Sequence, residues 1–292
     1  MSPFGHAGAE KKIITPTFEP AASWILRLES SYVGESDFSD RNASGDAFEL
    51  NVEASHRWFL GHGWPEAERG GWYLRLGVEY GRFDFSHDGG IPLPDKFQTA
   101  AGIISLEYLV GDDSAVILET RPGFHFEDDP DSSAFDAPTK LAIAIPLDDE
   151  RRVVAVAGVV YSALRSYQVI PVIGLRWIIS DRWTLFAIPP EPRLIYHASD
   201  TLSFWAGGEL TGGSFKTDDR RLKTDRELSG GVVTYSDWRV GAGGTWFPSP
   251  DLAVDFGAGY SIRREFDYHR AGKEFRTDDG APFVKISVTA SF

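Results

Sequence analysis

The chain reads as an all-β protein: a single closed antiparallel transmembrane β-barrel of about fourteen strands, with twelve as the alternative count. Three observations predict it. Apolar and polar residues alternate with a period of two in segment after segment, as in strands whose two faces meet different surroundings. Alternating segments of about ten residues are long for a soluble sheet, where five or six is typical, and suit a bilayer. The strand tally is even, and long loops tend to alternate with short turns, so the turns gather on one rim.

In chain order, residues 1–20 form a loose leader, kept out of regular structure by Pro16 and Pro20, and residues 21–292 form the barrel. Trp24, Leu26, Leu28 and Tyr32 alternate with Ile25, Arg27, Glu29 and Ser31; a polar loop with Gly34, Asp37, Asp40, Asn42 and Gly45 follows. Phe48, Leu50, Val52 and Ala54 oppose Glu49, Asn51, Glu53 and Ser55. After a turn over residues 61–71, Trp72, Leu74, Leu76, Val78 and Tyr80 oppose Tyr73, Arg75, Gly77 and Glu79. Ile104 to Val110 and Val116 to Arg121 flank a sharp turn at Gly111-Asp112-Asp113, and Leu141, Ile143 and Ile145 follow an acidic loop over residues 126–138. Residues 152–163 are apolar on both faces, which leaves that strand's facing open.

Ile173, Leu175, Trp177 and Ile179 then oppose Gly174 and Arg176. Pro189, Pro190 and Pro192 cannot sit in a central ladder, so residues 183–197 read as two short strands around a stiff corner; merging them gives the count of twelve. Strands over 202–210, 231–247 and 252–265 follow, with a charged loop over 216–229. The closing segment, PFVKISVTASF, sets Val284, Ile286, Val288, Ala290 and Phe292 against Lys285, Ser287, Thr289 and Ser291.

Composition agrees. The 292 residues are 42% hydrophobic, and the mean hydropathy of -0.22 is what a barrel shows when lumen and lipid residues average out. No run approaches the ~18 apolar residues of a spanning helix. There are 9 Trp and 20 Phe, which suits interfacial girdles, and no Cys, which rules out disulfides and thiolate metal sites. The net charge of -14 argues against nucleic acid as a partner.

The polar face predicts the lumen. It carries the acids Glu29, Glu49, Glu53, Glu79, Glu107, Glu119, Glu209, Asp237, Asp255 and Glu265. It also carries the bases Arg27, Arg57, Arg75, Arg121, Lys140, Arg176, Arg193, Arg239, Arg263 and Lys285. Near-equal numbers of each sign predict ion-pair ladders that fill and constrict the bore, where a one-sign ring would select ions. The expected network is Arg75, Glu79, Glu107, Glu119, Arg121, Arg176, Glu209, Arg239, Asp255 and Arg263.

Catalytic readings find weak footing. Ser55-His56, His197-Ala198-Ser199-Asp200 and Tyr268-His269 are the candidates for a wall-mounted Ser–His hydrolase, and each His reads better as interfacial. The acids at 127–129 and 131 could hold Ca²⁺, but such runs are usually solvated. No clustered His spacing points to a metal, and no glycine-rich phosphate loop opens a helix.

With its aromatic carboxy-terminal residue, the stretch 21–292 resembles a small Gram-negative outer-membrane β-barrel. The segments PPEPRLIY (189–196) and AGGELTGGSF (206–215) resemble an uncharacterised family of such barrels, with no assigned activity. The resemblance implies a bacterial outer-membrane location. The amino terminus shows no signal-peptide core, so the resemblance further implies that a signal has been removed. It implies outer-membrane lipid and lipopolysaccharide as surroundings, a barrel assembly machinery that reads Phe292, and no cofactor. Two functions follow as expectations: a narrow or gated, porin-like channel for small solutes, or a closed structural barrel presenting acidic outer loops. An outer-membrane hydrolase is a distant third.

Overall fold

The computed structural model describes residues 24–39, 43–62, 70–88, 91–110, 114–219 and 228–292. The leader over 1–20, Asp40, Asn42, the turn at 111–113, most of the turn over 61–71 and part of the charged loop lie outside the described residues. The strands are β1 (Trp24–Asp37), β2 (Ser44–His62), β3 (Gly70–His87), β4 (Lys96–Val110), β5 (Ser114–Thr120), β6 (Gly123–Phe126), β7 (Phe135–Asp136), β8 (Thr139–Pro146), β9 (Val153–Tyr161) and β10 (Val169–Ser180). They continue as β11 (Trp183–Ala187), β12 (Arg193–Ser199), β13 (Leu202–Lys216), β14 (Val232–Ser249), β15 (Leu252–Tyr268), β16 (Lys273–Arg276) and β17 (Ala281–Ser291).

These make fourteen staves, because three staves are broken. Pro122 separates β5 from β6 and Pro138 separates β7 from β8, each removing a ladder donor. Residues 277–280 separate β16 from β17. The result is a closed fourteen-strand antiparallel barrel. The Pro-rich corner does not merge its flanks: β11 and β12 pair separately with β10 and β13, so the alternative count of twelve falls. Closure runs through β1, which pairs with β17 (Leu26 opposite Ala290) and with β2 (Leu26 opposite Ala54). The Trp24 amide donates to the Phe292 carbonyl at 2.6 Å and the Phe292 amide to the Trp24 carbonyl at 3.0 Å. Both ends therefore meet on the rim that also holds the tight turns after β10, β12 and β14.

Over the lower part of each long strand the polarity is that of a lipid-facing wall. Trp24, Leu26, Leu76, Trp177, Phe256 and Ile286 stand exposed on the outer surface, and the charged face points in. Within β3 the pattern then inverts without a break in pairing. Up to Tyr80 the outward residues are apolar; beyond it Arg82, Asp84 and Ser86 face out, and Phe83 and Phe85 are buried inside. Val33 on β1, Phe97 on β4, Phe215 on β13, Tyr235 on β14 and Phe283 on β17 join them in one buried core. Aromatic faces at Tyr32, Tyr80, Trp238 and Tyr260 mark the level of the change.

The upper part is a smaller barrel. The staves from β7 to β12 are short, so β13 outgrows β12 and meets β6 instead, through a parallel bridge between Lys216 and Phe126. The Glu127 amide donates to the Lys216 carbonyl at 3.1 Å. The ring β13, β14, β15, β16, β1, β2, β3, β4, β6 thereby closes. An odd ring of otherwise antiparallel strands must contain one parallel pair, and this is it. Opposite walls of a round fourteen-strand barrel stand roughly 20–30 Å apart. In this nine-strand ring Phe97 on β4 and Phe215 on β13 flank β6 and stack with centroids 4.5 Å apart. Phe85 meets Phe266 at 5.0 Å and Tyr235 at 4.9 Å. The upper bore is filled by side chains in contact.

Truncating a ring in this core removes buried apolar area and leaves a cavity. Phe97→Ala is expected to destabilise the barrel by about 3–5 kcal/mol, seen as a lower urea midpoint for unfolding from detergent micelles. Ile286→Ala, on the lipid face, is expected to shift that midpoint far less.

Candidate functional site

The lumen at the depth of the lipid-facing band holds two charge clusters. The first spans β2 to β8. Arg75 donates to Glu53 at 2.8 Å, lies 3.3 Å from Glu107 and bonds Glu119. Arg57 pairs with Glu107 at 3.0 Å. Arg121 pairs with Glu79, with Glu119 at 3.0 Å and with Glu53 at 3.4 Å; Lys140 completes the group on Glu119 at 3.0 Å. Glu53, Glu79, Glu107 and Glu119 thus face Arg57, Arg75, Arg121 and Lys140, four acids against four bases.

The second cluster crosses the bore. Arg239 on β14 pairs with Asp237 at 2.7 Å and Glu209 at 3.8 Å, and reaches Glu49 on β2 at 3.2 Å. Thr211 on β13 also donates to Glu49, at 2.8 Å. Lys285 lies 2.7 Å from Glu209 and 3.5 Å from Glu191, and Arg193 lies 3.2 Å from Glu191 and 3.1 Å from Asp255. Carboxylate oxygens of Glu29, Glu191 and Glu209 lie within 4.8 Å of one another. The Lys285 ammonium lies against Glu209 and Glu191 and, with Arg193 on Glu191, supplies positive charge to the group. Removing one partner from such a buried set leaves an uncompensated charge, which costs more than the intact pair gains.

Two glycines shape this wall. A Cβ on Gly243 would lie 2.6 Å from the Trp205 ring, and one on Gly257 2.7 Å. Their absence lets the indole lie flat on the neighbouring strands, where its Nε1 donates to Asp255 at 3.0 Å and Arg193 stacks over its ring at 4.1 Å.

Of the residues read as the network, Arg75, Glu79, Glu107, Glu119, Arg121, Glu209, Arg239 and Asp255 face inward in the two clusters, and Arg176 is buried on the inner face of β10. Arg263 does not. A β-bulge at Ile262 shifts the register of β15 against β14, so every side chain beyond it changes face. Arg263 is 44% exposed on the outside and pairs with Glu265 at 2.5 Å and Glu274 at 3.2 Å, so Glu265 is misplaced with it. Arg264, only 2% exposed, points in instead, bonding Ser36 and donating to the Gly45 carbonyl at 2.5 Å. Glu191, in the corner, was missed because the prolines hid which face it takes.

The catalytic candidates disperse. Ser55 faces the lumen while His56 faces out between Trp24 and Trp58, at 4.8 and 4.2 Å. His197 bonds Thr184 at 3.2 Å and Ser203 at 3.1 Å, whereas Ser199 bonds Thr201. In the acidic loop, Asp128 pairs with Lys96 at 2.5 Å and Glu127 accepts the Asp218 amide at 2.9 Å. Asp131 caps a short 3₁₀ turn, where the Ser133 hydroxyl and amide hold its carboxyl below the usual range.

No protein-family model and no curated protein matches the chain. Among solved structures it is similar to a TodX monoaromatic hydrocarbon channel (a deltaS2 mutant), at 9% identity and TM-score 0.48, covering 93% of this chain and 91% of that one. It is also similar to an outer membrane channel from Pseudomonas putida F1, at 9% identity and TM-score 0.48, covering 96% and 100%. The NanC porin gives 12% identity and TM-score 0.38, covering 91% and 100%. These are likenesses of fold, and no solute or activity passes from them to this chain. Wall, girdle and closure define the class: a fourteen-strand transmembrane β-barrel of the outer-membrane kind.

The cross-lumen pair is open to a direct test. Glu49→Gln or Arg239→Met alone is expected to lower stability by about 3–5 kcal/mol, and the double variant to recover much of that loss. A double-mutant cycle of urea midpoints checks it.

Proposed function

We propose that this barrel is a narrow, gated channel for small solutes in the bacterial outer membrane, described here in a closed state. One observation carries the reading. At the depth of the lipid-facing band the inner wall is charged, while the dense aromatic seal sits above the girdle. A barrel filled only for stability has no need of charges there, since apolar side chains of similar volume would pack as well or better. Phe292, exposed at the closing rim, is proposed as the signal by which assembly machinery recognises β17.

The second reading, a closed structural barrel presenting its loops, is favoured by the contacts that cross the bore, Phe85 to Phe266 and Arg239 to Glu49.

Planar-bilayer recording separates the two. The channel reading expects small, brief currents from the unmutated barrel and larger ones from Glu209→Ala, which thins the charged constriction, or from Arg176→Ala, which removes the inward charge of β10. Silence from all three proteins supports the closed barrel.

A further inference from the structure

The inner wall is not charged all the way round. The two clusters occupy the staves from β12 through β17 to β8, and between them β9, β10 and β11 present mostly apolar side chains to the lumen, with Arg176 on β10 as the charge among them. The facing follows from alternation: Trp177 and Ile179 are exposed outside and Arg176 is buried inside, so Val172 and Ile170 point in, with Val160 beside Ile170 in register. Phe186 on β11 shares this face with Arg176. These inward residues remain partly exposed, whereas Glu49, Glu107 and Arg239 opposite are buried. Partial exposure on an inner face means free space beside it. This resolves the strand whose two faces both read as apolar: β9 has lipid outside and this sector inside.

The same sector lies outside the upper barrel, because β7 to β12 end below the β6–β13 contact. Its roof is the loop over 162–168, which joins β9 to β10. Phe135 on β7 is exposed outside, so its neighbour Asp136, buried, points inward. That carboxylate accepts from the Ser162 hydroxyl at 2.6 Å, the Ala163 amide at 3.1 Å and the Leu164 amide at 3.4 Å. The loop is thereby drawn in over the mouth, with Leu164 buried.

We propose that solute enters off-axis, beneath loop 162–168, and binds along the apolar sector. The class it takes is a small amphipathic molecule, its apolar body on Val160, Ile170 and Val172 and its polar group toward the charged clusters. This rests on the channel reading for its purpose, but its geometry can be tested separately. Asp136 is the latch, and the filled upper barrel is not the route.

The chain lacks cysteine, so Val172→Cys gives a single reporter. In proteoliposomes, methyl methanethiosulfonate, small and uncharged, is expected to modify it faster than a trimethylammonium methanethiosulfonate of similar reactivity. Adding Asp136→Ala is expected to accelerate modification several-fold, with heat-modifiable mobility on gels confirming a folded barrel, while adding Phe97→Ala is not. A thiol inert to both reagents with and without the latch, or one accelerated by Phe97→Ala and not by Asp136→Ala, overturns the proposal. Latch-dependent modification in a barrel silent in bilayers upholds the site and sinks the channel.

Discussion

Everything in this barrel depends on what surrounds each strand, because those surroundings change along its length. Below Tyr80 the outer wall of β3 meets lipid, and a charge on it costs roughly 2–4 kcal/mol at the bilayer midplane. Polar side chains therefore go inward, where Arg75 and Glu79 find partners. Above Tyr80 the outer wall meets water, and Phe83 and Phe85 gain by turning inward. One unbroken strand thus serves two environments of opposite polarity, and the side-chain period of two allows the exchange without a bulge.

The two-level architecture follows. Once the upper interior is apolar, it must be packed, and a fourteen-strand ring is too wide for side chains to fill. Ending five staves early and pairing β6 with β13 narrows the ring to a size that Phe97, Phe215, Tyr235 and Phe266 can close. The short staves leave a shoulder beside the upper barrel. The prolines at 189, 190 and 192 suit its edge, for they bring no amide donors that would lack a partner. Their carbonyls still serve: Pro190 accepts from the Leu210 amide and Pro192 from the Gly208 amide, both at 2.9 Å.

Much of this was legible in the sequence where alternation was regular. The stave count, the closing strand and nearly all inward charges could be read from period alone. Three things could not. The bulge at Ile262 leaves no mark in the pattern, since Ser261 and Arg263 flank it just as regular alternation would have them, and one extra residue inverts Arg263 and Arg264. The upper core was missed because strands were ended where outward apolar residues stopped. The signal lay in GRFDFSH, where aromatics move from even to odd positions without a turn residue. Pairing across the bore, such as Arg239 with Glu49, depends on how the ring narrows, which no local pattern reports.

The polarity exchange is measured most directly by spin-label accessibility. Nitroxides placed singly at the outward positions Leu74, Leu76, Val78, Arg82, Asp84 and Ser86 of β3 report oxygen, which concentrates in lipid, and a water-soluble nickel chelate. The account predicts high oxygen and low nickel access through Val78, with the order reversed from Arg82 onward. Oxygen access that stays high through Ser86 would place the upper barrel in the membrane and contradict the account.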